Sequence, residues 1–135
     1  MIVRWDSVGY YNSNDNLLND FQVIITNGND PILSGGNSVR FCYGGMQWTT
    51  GDASGGTGGF GGTSATVGAN NGDNVNYIQL GMFDTPDSNY TGPFDVNGVG
   101  WLCNKSFLFN GCASGGSAIR QGRSRGRPER VLHVQ

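Results

Sequence analysis

Residues 47–63, QWTTGDASGGTGGFGGT, place seven glycines in seventeen positions and contain a G-x-G-x-x-G at Gly56, Gly58 and Gly61. Such a fingerprint holds a pyrophosphate only where the glycines open a helix, whose free N–H groups and dipole face the anion. The following segment, GTSATVGANNGDNVNYIQL, has β-branched residues, further glycines and an Asn/Asp cluster, with no 3.6-residue apolar period. A P-loop is excluded because no Gly-Lys-Ser or Gly-Lys-Thr occurs and the one lysine is Lys105. The glycine run therefore reads as a tight loop between strands.

The rest of the composition points the same way. Fifteen asparagines, and nine aspartates with no glutamate before residue 120, favour turns and disfavour helix. Leu, Ile, Val and Phe supply only about 22% of the chain, yet three Trp, five Tyr and seven Phe fall mostly inside short β-type runs, as a fold requires. With 135 residues the chain suffices for one domain with a modest core. Strands are expected over 2–11, 21–26, 38–49, 64–67, 75–80 and 101–111, with a turn at 12–16 and a long loop over 81–100. In the third run Val39, Phe41 and Tyr43 share one face, and Arg40 and Cys42 the other. The expected fold is all-β, an antiparallel sandwich-like sheet with long Gly/Asn-rich loops over residues 1–111. Residues 112–135 carry five arginines and no aromatic, and are expected to form a disordered Gly/Arg-rich tail.

Few residues suggest chemistry. His133 is the sole histidine and lies in that tail, and no C-x-x-C or H-x-x-x-H spacing offers a metal site. Most aspartates sit in turn contexts such as Asn-Asp-Pro, whose ordinary role is a hydrogen-bonded turn. Calcium is the one plausible cofactor, through Asn70, Asn71, Asp73 and Asn74 or through Asn12, Asn14 and Asn16, although neither set follows an EF-hand. Cys103 and Cys112 could close a short loop, a bridge worth about 2.5 kcal/mol in the chain-entropy model, leaving Cys42 as a strand residue. The tail arginines could hold phosphates only in a non-specific, salt-sensitive way, and no nucleic-acid partner is expected. Asn89-Tyr90-Thr91 and Asn104-Lys105-Ser106 are sequons, at the number chance predicts. No apolar stretch of 18 residues is present to span a membrane.

The succession VRWDSVGYY, LNDFQVIIT, VRFCYGGMQWTTGDASGG and GGTSATVGANNGD resembles the nidogen-like extracellular domain of basement-membrane nidogen, tectorin, some membrane mucins and bacterial surface proteins. The matching positions are Trp5, Phe21 and Gln22, then Trp48, Thr49, Thr50, Gly51, Asp52, Gly55 and Gly56, then the turn at Ala65–Gly68. The resemblance implies an extracellular or cell-surface, non-enzymatic module in cell or matrix adhesion, with a protein or glycan partner and structural motif residues. It also implies an N-terminally incomplete domain, since family members begin with strands upstream of Trp5. Loops 49–62 and 84–99 are the expected contact surface. The rival reading is a carbohydrate- or calcium-binding β module, in which Phe60, Tyr90 and Phe94 would be exposed platforms beside Asn and Asp.

Overall fold

The computed structural model describes residues 1–33, 36–70, 72 and 75–109, together with the backbone of 118–123 and 130–133. Its regular structure is nine strands and two 3-10 turns, without an α-helix among the described residues. Strands β1 (Ile2–Tyr10), β2 (Asn14–Ile25), β3 (Val39–Tyr43), β7 (Lys105–Phe109), β8 (Ala118–Arg123) and β9 (Arg130–His133) form one sheet in the order β1-β2-β3-β7-β8-β9. Strands β4 (Ala65–Asn70), β5 (Tyr77–Thr85) and β6 (Val96–Gly98) form a second sheet. The chain divides into two compact units, one of Met1–Asp6, Asp20–Gly44 and the strands after Asn104, the other of Ser7–Asn19 and Gly45–Cys103.

The first unit grows from the predicted two-residue alternation. Antiparallel pairing sets Phe21 opposite Tyr43, Val23 opposite Phe41 and Phe41 opposite Phe107, so Phe21, Val23, Val39, Phe41, Tyr43, Phe107 and Phe109 share one face. Their rings interlock: Phe41 meets Phe109 edge-on at 5.1 Å, Tyr43 meets Phe107 at 6.0 Å, and Trp5 stacks on Phe21 at 4.8 Å. Burial here raises the Tyr43 phenol well above the usual tyrosine range, with the adjacent Cys42 acting in the same direction. On the opposite face the Arg40 guanidinium donates to Ser106 Oγ at 2.9 Å.

The second unit has its own core of Tyr10, Leu80, Phe83, Val99 and Leu102, all buried. Strands β4 and β5 pair antiparallel with a bulge at Val67/Gly68, whereas β6 pairs parallel to β5. The parallel pair makes this sheet mixed. It arises because the chain loops out after Thr85 and returns in the same direction, with Met82 opposite Val96.

Several sequence boundaries move. The turn expected at 12–16 shrinks to residues 11–13, with Ser13 at φ 59°, and Asn14 already belongs to β2. The third strand ends at Tyr43 rather than Thr49, because from Met46 the backbone bonds to side chains instead of a neighbouring strand. The loop expected over 81–100 contains the end of β5, all of β6 and the start of the 3-10 turn Val99–Leu102. Within the tail read as disordered, 118–123 and 130–133 carry strand backbone, β8 pairing antiparallel with β7 and β9 with β8. Strand β7 offers a free ladder edge there, and pairing satisfies its backbone groups.

Candidate functional site

The two loops expected to carry contacts both hang from the second unit. The glycine loop is approached through Trp48, whose indole N–H donates to the Val8 carbonyl at 2.8 Å and whose ring packs on Tyr10 at 5.9 Å. Asn19, buried at 4% exposure, fixes the approach: its Oδ1 accepts from the N–H groups of Gln47 at 2.7 Å and Trp48 at 3.2 Å, while its Nδ2 donates to the Trp48 carbonyl at 2.9 Å. Beyond it, the Gly59 carbonyl accepts from the N–H groups of Thr49 at 2.9 Å and Thr50 at 3.0 Å. Gly59 needs to be glycine, since its φ is +91° and a Cβ would lie 3.0 Å from that of Trp48. Gly51 and Asp52 open a 3-10 turn over Asp52–Ser54 that Gly55 closes in the left-handed region. The Asp52 N–H donates to the Tyr11 carbonyl at 3.1 Å, and that of Gly56 to the Gly51 carbonyl at 3.2 Å.

The anion that this loop holds is internal. Asp84, on β5, accepts the Gly61 N–H at 2.8 Å, with the hydroxyls of Thr49 and Thr50 at 3.4 and 3.5 Å. Thr50, only 2% exposed, has a single hydroxyl proton, and its nearer acceptor is the Thr63 carbonyl at 3.1 Å. The third glycine of the G-x-G-x-x-G thus binds a carboxylate of the chain itself, and the element that follows is strand β4. Asp84→Ala is expected to cost about 2 kcal/mol, as a charge-assisted bond is lost and a backbone donor stranded. Hydrogen exchange should quicken at amides 57–62 while β5 keeps its protection. Unchanged exchange at Gly61 would show that Asp84 does not latch the loop.

The second loop is organised by Asn97, 1% exposed. Its Nδ2 shares two protons among the carbonyls of Asp95 at 2.6 Å, Gly92 at 2.8 Å and Met82 at 3.1 Å, and its Oδ1 accepts the Thr91 N–H at 2.8 Å. Tyr90 donates to the Leu80 carbonyl at 2.8 Å and stacks on Trp101 at 4.0 Å. Burial raises its phenol above the ordinary range, with Asp95 adding to the effect. Gly98 admits the Asp87 carbonyl where any Cβ would sit. The Asn89 backbone N–H, ahead of the Thr85 hydroxyl, holds the Asp87 carboxyl below its usual range.

These bonds redistribute the sequence candidates. Trp48, Thr49, Thr50, Gly51, Asp52, Gly55 and Gly56 are brought together as the frame of one loop; Trp5 and Phe21 stack in the other unit, where Gln22 lines a shallow cleft with Arg4, Asp20 and Cys42. Of the three aromatics read as platforms, Phe60 is half-buried, and Tyr90, though 37% exposed, has its hydroxyl tied to Leu80 and its ring stacked on Trp101, so of the three only Phe94, 66% exposed, stands free of such packing. Of the expected Cys103–Cys112 bridge one end is described: Cys103 Sγ accepts the Met46 N–H at 3.3 Å, and Cys112 lies outside the described residues. Asn71, Asp73 and Asn74 of the calcium candidates also lie outside them; Asn70 Oδ1 accepts the Gly72 N–H at 3.0 Å, and Asn16 Oδ1 accepts from the Tyr10 hydroxyl at 3.1 Å. The organising residues Asn19, Asp84 and Asn97 escaped the sequence reading. Only the unusual density of Asn and Asp hinted at them.

Among the described residues, no helix is long and apolar enough to cross a membrane. No curated protein and no solved structure matches the chain. The family model of the nidogen-like domain matches residues 1–98, a span holding both β sheets' first strands, the Trp48–Gly56 motif and the Asn97 loop, and the chain belongs to that family.

Proposed function

We infer that the chain is a non-enzymatic extracellular interaction module of a secreted or surface-displayed protein, which engages a protein partner in adhesion through loops 49–62 and 84–99. The observation that carries this reading is that both loops are fixed from beneath, by Asp84 and Asn97, while Phe94 projects with 66% of its surface exposed. Loops already ordered before contact lose little conformational entropy on binding, and an exposed aromatic on such a loop is a natural anchor. Membership of a family of extracellular domains supports the extracellular setting. Phe94 beside Asp95 also favours a second reading, a glycan- or calcium-binding module.

The test is binding of the chain to a panel of purified matrix proteins and to a glycan array, with melting curves taken with and without calcium. Saturable binding to a matrix protein is expected, weakened about tenfold by Phe94→Ser with no change in Tm. A specific glycan hit or a large calcium-dependent rise in Tm would replace adhesion with the second reading. Binding indifferent to Phe94→Ser would move the contact away from loop 84–99.

A further inference from the structure

Strand β1 lies at the margin of the six-stranded sheet, and among the described residues no strand covers its outer side. Met1 and Ile25 exchange two backbone hydrogen bonds, of 2.7 and 2.8 Å, which orients Met1 toward β2. By alternation Val3 and Trp5 also turn inward, so the N–H and C=O groups of Ile2, Arg4 and Asp6 point out from the sheet. Within β1 the alternation is interrupted at Ser7, whose φ of 53° breaks the extended backbone. What remains is a short edge with three outward residues.

We propose that this edge pairs with β1 of a second copy, antiparallel about a two-fold axis at Trp5. The argument is charge order. Arg4 and Asp6 flank Trp5 on one face of the strand, 2.9 Å apart, with side chains 64% and 65% exposed. An edge guarded by one sign of charge repels its own copy, which is how exposed strands ordinarily avoid association. Here the signs are opposite and symmetrically placed. With Trp5 on the axis, Arg4 lies directly opposite Asp6 of the second copy, and Asp6 opposite its Arg4. Both are outward residues, so the two Arg4/Asp6 positions supply four backbone hydrogen bonds as well as two cross-strand ion pairs. Ile2, 55% exposed, and Trp5, 39% exposed, contribute apolar surface at the same edge. The contact is isologous, so it closes at a dimer.

The experiment follows the sedimentation of the full chain over a range of concentrations, for wild type, Arg4→Asp, Asp6→Arg and the equimolar mixture of the two variants. Wild type should form a concentration-dependent dimer. Each single variant should dimerise at least about tenfold more weakly, since like charges now face each other. In the mixture the aspartate introduced by Arg4→Asp meets the arginine introduced by Asp6→Arg across the axis, and a heterodimer of near wild-type affinity should return. Circular dichroism of each variant checks that the fold is kept. A monomeric wild type, single variants that dimerise as tightly as wild type, or a mixture that stays monomeric would each overturn the proposal.

Discussion

Asn97→Leu is expected to cost about 4 kcal/mol, a large share of the 5–15 kcal/mol that stabilises an ordinary domain. Leucine fills nearly the same space but strands the Thr91 N–H and the carbonyls of Met82, Gly92 and Asp95 in a site from which water is shut out. Each unpaired group costs on the order of 1–3 kcal/mol, and relaxation recovers only part of the sum. Asn97→Asp separates hydrogen bonding from shape. The second oxygen of the new carboxyl would face three carbonyl oxygens, so the folded state favours its protonated form and raises its pKa above the unfolded value of about 3.9. The sign follows: Asn97→Asp is tolerated best below pH ~4, and its stability falls as pH rises toward the folded-state value. Urea unfolding at several pH values measures both effects. An Asn97→Leu cost below about 1 kcal/mol, or a pH-independent Asn97→Asp, would contradict this account of the loop.

Asn19→Ala comes next in size, at about 3 kcal/mol, because three hydrogen bonds to Gln47 and Trp48 are lost from a residue 4% exposed. Its consequence reaches the glycine loop, since Trp48 leads directly into Thr49 and Thr50. Trp48 emission should shift to the red and quench more readily. Asn16→Ala, which removes only the exposed partner of the Tyr10 hydroxyl, should cost less than about 1 kcal/mol and serves as the control. Native-like Trp48 fluorescence in Asn19→Ala would refute the role given to Asn19.

The strands were legible in the sequence where side chains alternate and carry rings. Val39, Phe41 and Tyr43 lie on the expected face because side chains alternate along a strand and the rings of Phe107 and Phe109 gather on that face, and the loop at 51–62 was announced by its glycines. The family too was readable, since its motif residues recur in order. What stayed hidden depends on pairing across sequence distance. Strand β6 is three residues long and polar at its centre, so Val96-Asn97-Gly98 looks like loop until β5 is beside it. Residues 12–16 read as turn because Asn and Asp usually bond their own backbone, and the next strand was expected only from Phe21, whereas β2 starts at Asn14 and Asn19 within it bonds a segment 28 residues away. No local pattern distinguishes a buried, organising asparagine from an exposed one.

The register that sets Phe41 opposite Phe107 bears on the order of folding. The ends of this pair are 66 residues apart, as are Arg40 and Ser106, whereas Asn70 and Tyr77 close a hairpin over 7. Bringing the distant ends together costs about 2 kcal/mol more chain entropy than closing the hairpin. The β4–β5 pair can therefore form early and alone, while the aromatic face shared by β3 and β7 must wait for everything between them to become compact. A chain leaving the ribosome completes β7 only after the whole glycine loop and the Asn97 loop have emerged, so until then β3 is a strand with one long side unpaired.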